Sequence, residues 1–342
     1  MTVTYSTVIA TRNRAQSLEK YLPLHIQQEH LPERIVIVDS SDSTHFQRNT
    51  EMIAGLRKLT KCVIDHVQCA PGTSRQRNLG LDRVTSQVTF MPDDDSVILP
   101  GAVDAIINVY QRDRLMQIGG VCSREATSPS NIEITGQRSS VDTLRVKSGR
   151  LRNRLEESLL PDPMKVAART LQSRLQPVDW LSDANAVPVE WMTGFRMSFR
   201  TNVIKDVKFN ENLGRYALYE DVDAGLQAMK RGFLIVAALD AKIFHDRDPG
   251  RRDNGRTIGA ANILNRAYTA LRATPDNGTI RTTIRNHALL RLAQFSLGAN
   301  SEFGTERLKG AWAGYRQLPL LLNAHSEVLD EAYLSARKNL DI

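Results

Sequence analysis

The chain has 342 residues, of which 41% are hydrophobic, so it can build one large domain or two modest ones. Its 45 lysines and arginines outnumber the 38 aspartates and glutamates, which gives a net charge of +7. This excess points to an anionic partner: a phosphate-bearing ligand, an acidic membrane surface or a nucleic acid. Three cysteines are too few for a disulfide framework or a zinc site, which fits a reducing compartment.

Neither a signal peptide nor a membrane-spanning segment is expected from the sequence. The opening residues MTVTYSTVIATRNR do not show the basic-then-apolar layout of a signal peptide. The longest apolar runs, such as residues 233–239, are far shorter than the roughly 20 residues that cross a bilayer. We therefore expect a cytoplasmic protein.

The first hundred residues alternate between short apolar runs and helix-like segments. Four runs are typical of buried strands with their terminal turns: residues 5–11, 34–43, 61–69 and 87–95. A segment of helical spacing, residues 18–28, follows the first of them. This alternation predicts a doubly wound α/β sheet, in which ligands bind at the carboxyl ends of the strands. The polar stretches 11–14, 39–42 and 93–95 fall at those ends.

The basic charge lies outside this predicted core. Residues 138–176 hold nine lysines and arginines against four acids, and residues 251–342 hold 13 against eight. Both stretches have helical spacing of apolar residues, as in Leu144, Leu151 and Leu155. Basic amphipathic helices of this kind either pack on a core or lie against anionic lipid, and the sequence leaves both readings open.

Three consecutive aspartates, Asp93 to Asp95, follow the fourth strand. Like charges repel, so these carboxylates need a cation or hydrogen-bond donors beside them. In an extended chain Asp93 and Asp95 would face the same way, a spacing that suits Mn²⁺ or Mg²⁺. The alternative is a solvated acidic turn that caps a helix starting near Pro100.

Five segments, taken together and in order, resemble glycosyltransferase family 2, the inverting GT-A enzymes. They are VIATRNR, IVIVDSSDS, GTSRQRNLGL, TFMPDDDSVILPGAVDAI and the stretch from WMTGFRMSFR to AKIFH. The sequence departs from the family pattern at three positions. Ala10 replaces a proline, Arg12 replaces a tyrosine, and Ser40 replaces the second acid after the second strand.

The resemblance implies a nucleotide-sugar site formed by Thr11, Arg12, Asp39, Arg77, Asp93 and Asp94. Within it Asp39 would accept hydrogen bonds from the base, and Asp94 would reach the ribose. Asp95, with Asp93 and His245, would hold Mn²⁺ or Mg²⁺. Each residue also has a plainer reading, because strand-terminal acids, surface arginines and buried histidines are common.

The resemblance also implies a catalytic pair. In LYEDVDAGLQAMKRG a helix begins at Glu220 and Asp221 and is stopped by Gly232. Asp221 matches the general base that takes the proton of the acceptor hydroxyl, with Glu220 beside it. Acids at a helix start also cap it, so a structural role stays open. Trp191 would either stack on an acceptor sugar or pack in the core.

The sequence therefore predicts an α/β protein of the GT-A fold, with a mixed, mostly parallel sheet flanked by helices and a helical C-terminal region. Residues 1–255 would form the glycosyltransferase domain, with the basic insertion near 138–176, and residues 256–342 the helical region.

The predicted reaction is metal-dependent transfer of a sugar, with inversion, from a nucleotide-diphosphate sugar to a hydroxyl of a glycan or lipid-linked acceptor. Bacterial polysaccharide synthesis is the expected setting, at the inner face of the plasma membrane if the basic helices bind anionic lipid. No nucleic-acid partner is expected.

Two alternatives remain open at this stage. A sugar nucleotidyltransferase would usually carry a glycine-rich loop after the first strand, but ATRNRAQS contains no glycine. A non-catalytic basic module that binds membrane or nucleic acid would not need suitable chemistry at the metal, base and nucleotide positions.

Overall fold

A computed structural model describes residues 3–127, 160–246, 254–274 and 278–342 of the chain. The chain divides into two units, one made of residues 1–128 and 171–252 and the other of residues 129–170 and 253–342. The first basic amphipathic stretch predicted from the sequence, with its leucines at 144–159, lies outside the described residues.

The first unit is built on a mixed sheet of nine strands among the described residues. The strands are β1 Tyr5–Thr11, β2 Arg34–Asp39, β3 Val63–Gln68, β4 Val88–Phe90, β5 Ser96–Ile98, β6 Ile118–Glu125, β7 Ala186–Pro188, β8 Met197–Arg200 and β9 Leu234–His245. Their order is β3-β2-β1-β4-β8-β6-β9-β5, and β7 pairs with β9. The β3-β2-β1-β4 half is parallel, whereas β8 runs antiparallel to β4 and β6, as do β5 and β7 to β9.

Helices cover the sheet and form the C-terminal region. They are α1 Ala15–His25, α2 Ser43–Leu56, α3 Thr73–Leu81, α4 Ala102–Arg112, α5 Pro163–Gln172, α6 Thr201–Val207, α7 Glu220–Lys230, α8 Gly255–Ala273, α9 Gly278–Leu297, α10 Glu302–Leu322 and α11 Leu329–Lys338. The mixed α/β sheet and the helical C-terminal region confirm the fold predicted from the sequence.

Hydrophobic burial explains why the strands form where they do. Strand β2 presents the β-branched run Ile35–Val38, which is fully buried between the helices on both faces of the sheet. On β1 Val8 and Ile9 are equally buried. Helix α4 turns one apolar stripe, including Ile106 and Tyr110, toward a second cluster that contains Val88 of β4. This packing fixes the carboxyl ends of β1, β2 and β4 side by side.

Two predicted strands end earlier than the sequence pattern indicated. Strand β2 stops at Asp39 because Asp42 caps α2, accepting a hydrogen bond from the backbone of His45. Strand β4 stops at Phe90, two residues before Pro92, which has no N–H for a ladder. Asp94 and Asp95 therefore lie in a turn rather than in an extended strand.

Helices α8 and α10 of the second unit pack with their backbones in unusually close contact. A Cβ added at Gly259 would lie 1.9 Å from the carbonyl oxygen of Arg307, and one at Gly310 would lie 1.9 Å from that of Arg256. Only glycine fits such a crossing, since any side chain would push the helices apart. Among the described residues, no helix is both long enough and apolar enough to cross a membrane.

This contact predicts the effect of a single added methyl group. Gly259→Ala should lower the free energy of unfolding by about 1–3 kcal/mol, because the overpacking outweighs the better helix propensity of alanine. Urea unfolding followed by circular dichroism measures the change.

The matched control is Gly55→Ala, on α2, where an added Cβ meets nothing within 4 Å. This variant should be neutral or slightly more stable. A Gly259→Ala protein as stable as the control would contradict the close packing of α8 and α10.

Candidate active site

The polar residues that follow β1, β2 and β4 meet at one edge of the sheet. Strand β1 pairs with both β2 and β4 in parallel, so the three carboxyl ends point the same way. The side chain of Gln76 on α3 joins two of them, donating hydrogen bonds to the carbonyl oxygens of Thr11 (2.9 Å) and Val38 (2.8 Å). The expected gathering of polar groups is thus a consequence of the strand order.

Arg14, in the loop after β1, holds two of the three aspartates. Its Nη1 donates to Asp94 Oδ1 and its Nη2 to Asp95 Oδ2, both at 2.6 Å. The other oxygen of Asp94 accepts a hydrogen bond from Thr11 Oγ1, also at 2.6 Å. Both carboxylates are buried. The cation that the three aspartates require is therefore supplied, in part, by the chain itself.

Asp93 and Asp95 meet His245, as the resemblance implied. Strand β5 begins directly after the aspartates and pairs antiparallel with β9, with Ser96 opposite His245. This register places His245 Nε2 3.0 Å from Asp95 Oδ1 and 4.0 Å from Asp93 Oδ2. Phe195 stacks on the imidazole, with ring centroids 4.5 Å apart. The pairing of two short strands thus brings together side chains 150 residues apart.

These three side chains have the chemistry of a divalent metal site. Each offers one ligand atom, and the three atoms lie within 4.8 Å of one another. Carboxylates are preferred ligands of Mn²⁺ and Mg²⁺, and imidazole is a common ligand of transition metals. The donor set therefore fits either ion.

Arg77 links the metal-site acids to the predicted catalytic helix. Its guanidinium donates from Nη2 to Asp93 Oδ1 at 3.0 Å and from Nη1 to Glu220 Oε1. The side chain is only 3% exposed and lies over the ring of Phe209. In this structure the guanidinium binds protein carboxylates on both sides, so its position depends on both segments.

Asp221 is oriented by backbone groups rather than by another charge. Its Oδ2 accepts from the N–H of Gly194 at 2.7 Å, and its Oδ1 accepts from the N–H of Val222 at 2.8 Å. A Cβ at Gly194 would make a tight contact, 3.1 Å, with Arg77 Nη2. The carboxylate of Asp221 is thus held in a fixed position near the buried arginine by hydrogen bonds from backbone N–H groups.

Burial and hydrogen bonding divide the acids into two kinds. Burial raises the pKa of Asp94 to about 7, and the opposing effects of Arg14 and Thr11 offset it only in part. Burial likewise raises the pKa of Glu220 to about 7 against the opposing charge of Arg77, and raises that of Asp221. For Asp95 burial acts in the same direction, but His245 and Arg14 outweigh it and lower the pKa to about 2. Asp95 is therefore the acid that stays ionised most firmly.

Asp39 is placed differently from what the resemblance implied. It is fully buried, and its carboxylate accepts three hydrogen bonds, from Ser41 N at 2.8 Å, Asn49 Nδ2 at 2.7 Å and His66 Nε2 at 3.0 Å. Burial would raise its pKa, but these bonds together lower it. The buried carboxylate of Asp39 thus stabilises the turn after β2.

The two remaining predicted site residues are Arg12 and Trp191. Arg12 is exposed in the loop after β1, and Trp191 is partly buried three residues before Gly194. Sequence reasoning missed Arg14, Gly194 and Phe195. Arg14 could have been suspected, because TRNR offers a second arginine after β1, the strand that lies beside β4 and its aspartates. Phe195 offered no such signal, since an aromatic residue in a loop more often packs in a core.

The mixed sheet with its parallel half, the acidic turn and the acid pair on α7 together have the architecture of the GT-A fold. Residues 6–166 match the family model described as Glycosyl transferase family 2. No curated protein matches the chain.

Solved structures show the same fold over nearly the whole chain. TarS from S. aureus is 13% identical with a TM-score of 0.53, covering 99% of this chain and 91% of that one. TarS with UDP-GlcNAc gives 12% identity and a TM-score of 0.53, covering 99% and 92%. A mannosyltransferase, PcManGT from Pyrobaculum calidifontis, with GDP-Man and Mn²⁺, is 13% identical with a TM-score of 0.50, covering 98% and 86%.

Proposed function

We propose that this glycosyltransferase is inverting and metal-dependent, and that it moves a sugar from a nucleotide-diphosphate sugar to a hydroxyl of a glycan or lipid-linked acceptor. One observation carries the proposal: the metal-type cluster of Asp93, Asp95 and His245 is joined through Arg77 to Glu220, the neighbour of Asp221. A cation site and a carboxylate base beside each other are what a single displacement at an anomeric carbon requires.

The donor side of the site is formed by the strand ends. We assign the nucleotide to Thr11, Arg12, Asp39, Arg77, Asp93 and Asp94, with Asp39 acting through the turn it fixes. Two similar structures were solved with UDP-GlcNAc and with GDP-Man, which are donors of this chemical class. Mn²⁺ or Mg²⁺ held by Asp93, Asp95 and His245 would offset the charge that develops on the leaving diphosphate.

The acceptor side is served by Asp221. Its two backbone hydrogen bonds fix the carboxylate, and the pKa raised by burial makes it a stronger proton acceptor than an exposed aspartate. The acceptor hydroxyl becomes more acidic as it attacks the anomeric carbon, so such a base suffices. Attack in one step from the face opposite the leaving group inverts the configuration. Trp191, close to Gly194 in sequence, is proposed to contact the acceptor sugar.

The setting we propose is bacterial polysaccharide synthesis at the cytoplasmic face of the membrane. Residues 1–255 would carry the reaction, and the helical residues 256–342 would supply a basic surface. On α10 the exposed side chains of Lys309, Trp312 and Arg316 follow one another at helical spacing, and Trp312 is 55% exposed. An amphipathic indole flanked by cations suits an anionic lipid surface.

The metal assignment predicts the behaviour of Asp95→Ala. Loss of this ligand should abolish transfer and remove the stabilisation that Mn²⁺ and a nucleoside diphosphate give together, since Asp95 would help to hold the cation that attracts the diphosphate. Thermal unfolding with UDP or GDP, with and without Mn²⁺, measures it. Metal-dependent binding of the diphosphate by the variant would show that Asp95 is not a ligand.

The base assignment predicts a contrast between two neighbouring acids. Asp221→Asn keeps the size and can still accept one of the two backbone hydrogen bonds, but it removes the proton acceptor, so transfer should fall by roughly 10²–10⁴-fold. Donor binding should survive, because Asp221 is not among the residues that we assign to the nucleotide. Initial rates of transfer and the dissociation constant of the donor separate the two effects.

Glu220→Gln is the matched control, because Gln can still accept a hydrogen bond from Arg77. A larger loss of transfer in Glu220→Gln than in Asp221→Asn would indicate that the general base is Glu220 and not Asp221. Near-normal transfer by Asp221→Asn would leave Asp221 with a capping role alone.

The membrane proposal predicts binding to liposomes that contain anionic lipid at low salt, and release at high salt, since each basic side chain near such a surface contributes about 1 kcal/mol. Flotation of the protein with liposomes measures the bound fraction. The double variant Trp312→Ser/Arg316→Glu should bind less, whereas Lys58→Glu, an exposed charge reversal in the first unit, should bind like the wild type. Equal binding by both variants would exclude the α10 surface.

A further inference from the structure

The oxygens of Asp95 are shared between two different kinds of partner. Oδ1 faces His245 Nε2 at 3.0 Å, on the side where the three candidate ligand atoms converge. Oδ2 is bound by Arg14 Nη2 at 2.6 Å, and the same guanidinium reaches Asp94. A metal at the cluster and the guanidinium of Arg14 would therefore neutralise the same carboxylate from opposite oxygens.

The loop geometry holds Arg14 in this position. Asn13, just before it, adopts the left-handed conformation with φ of 53°, which asparagine tolerates better than most residues. The backbone N–H of Asn13 donates to Ser41 Oγ at 2.7 Å, and its side-chain oxygen accepts from Asp42 N at 2.9 Å. The loop is thus tied to the turn after β2, and Arg14 is aimed at the aspartates while Arg12 is left exposed.

Arg14 differs from the other arginine of the site in its surroundings. Arg77 is almost fully buried and is held between Asp93 and Glu220, whereas the side chain of Arg14 is 24% exposed. A partly exposed guanidinium at a loop can adjust its position when a second cation arrives. Two cations that share one carboxylate repel each other, so each weakens the binding of the other.

From this geometry we propose that Arg14 is an internal counter-ion that competes with the divalent metal for Asp95. With no metal bound, the guanidinium keeps the Asp94–Asp95 turn neutralised and in place. When a metal ion is bound, the positive charge of Arg14 would lower the affinity of the site for that ion. The ion would then be held loosely enough to leave with the diphosphate. The inference rests on the metal part of the proposed function.

The sign of the effect separates this role from simple positioning. A residue that only orients a metal ligand strengthens metal binding, and its removal typically weakens the affinity by about 10–100-fold. A competing cation weakens metal binding, so its removal should strengthen it. Arg14→Gln removes the charge, and Arg14→Lys keeps a charge that can contact fewer oxygens at once. Arg12→Gln removes the same charge two residues away, where the side chain is exposed.

The test compares the wild type with these three variants by thermal unfolding in EDTA and by calorimetric titration with Mn²⁺. In EDTA, Arg14→Gln should melt below Arg12→Gln, because two buried carboxylates have lost their cation. Mn²⁺ should bind Arg14→Gln about tenfold more tightly than the wild type and raise its melting temperature by a larger amount. Arg14→Lys should lie between the two, and it serves for the same comparison if Arg14→Gln does not fold.

Mn²⁺ affinity in Arg14→Gln equal to or weaker than that of Arg12→Gln would overturn the competition while leaving the metal site in place. Equal melting of these two variants in EDTA would likewise overturn the counter-ion role. A different failure, in which neither the wild type nor any variant binds Mn²⁺, would remove the metal part of the proposed function together with this inference.

Discussion

Charge balance around Asp93, Asp94, Asp95 and Glu220 is the constraint on which the site depends. Three of these carboxylates, those of Asp94, Asp95 and Glu220, are buried, and buried carboxylates this close together are tolerated only when cations or donors face them. Arg14 and Arg77 provide that balance, with Thr11 and His245 completing it. The two arginines come from loop and helix segments after different strands, so they also tie β1, α3 and α7 to the acidic turn. The same contacts therefore neutralise the carboxylates and hold the segments of the site together.

The antiparallel part of the sheet explains how distant segments reach these arginines. Strand β5 follows the acidic turn and pairs with the end of β9, which delivers His245. Strand β8 enters between β4 and β6, and the turn before it carries Gly194, whose backbone orients Asp221. In the proposed function, the parallel half would provide strand ends for the nucleotide, and the antiparallel strands would add the groups that act on the sugar.

Much of the fold could be predicted from the sequence, because local patterns decide it. Strand β1 lies at the predicted residues 5–11, and the predicted helix at Glu220 ends just before Gly232, which takes a positive φ. The convergence of Asp93, Asp95 and His245 was accessible only through the resemblance, since no local signal links residues so far apart. The sequence could not predict the hydrogen-bond partners of Asp39. Nor could it predict that Arg14, rather than Arg12, binds the aspartates. These contacts depend on the left-handed turn at Asn13 and on cross-strand neighbours such as His66, which only the folded chain defines.

The same contacts indicate why Asp221, rather than Glu220, is suited to accept a proton. Glu220 is buried, and one of its oxygens is bound by Arg77, so an acceptor hydroxyl would have to displace an internal ion pair to reach that oxygen. Asp221 is only partly buried, and its hydrogen-bond partners, Gly194 N and Val222 N, are neutral donors. A carboxylate held by neutral groups keeps more of its basicity than one neutralised by a guanidinium. Arg77 thus distinguishes two adjacent acids: it binds Glu220 directly, and it leaves Asp221 to the role of base that we propose for it.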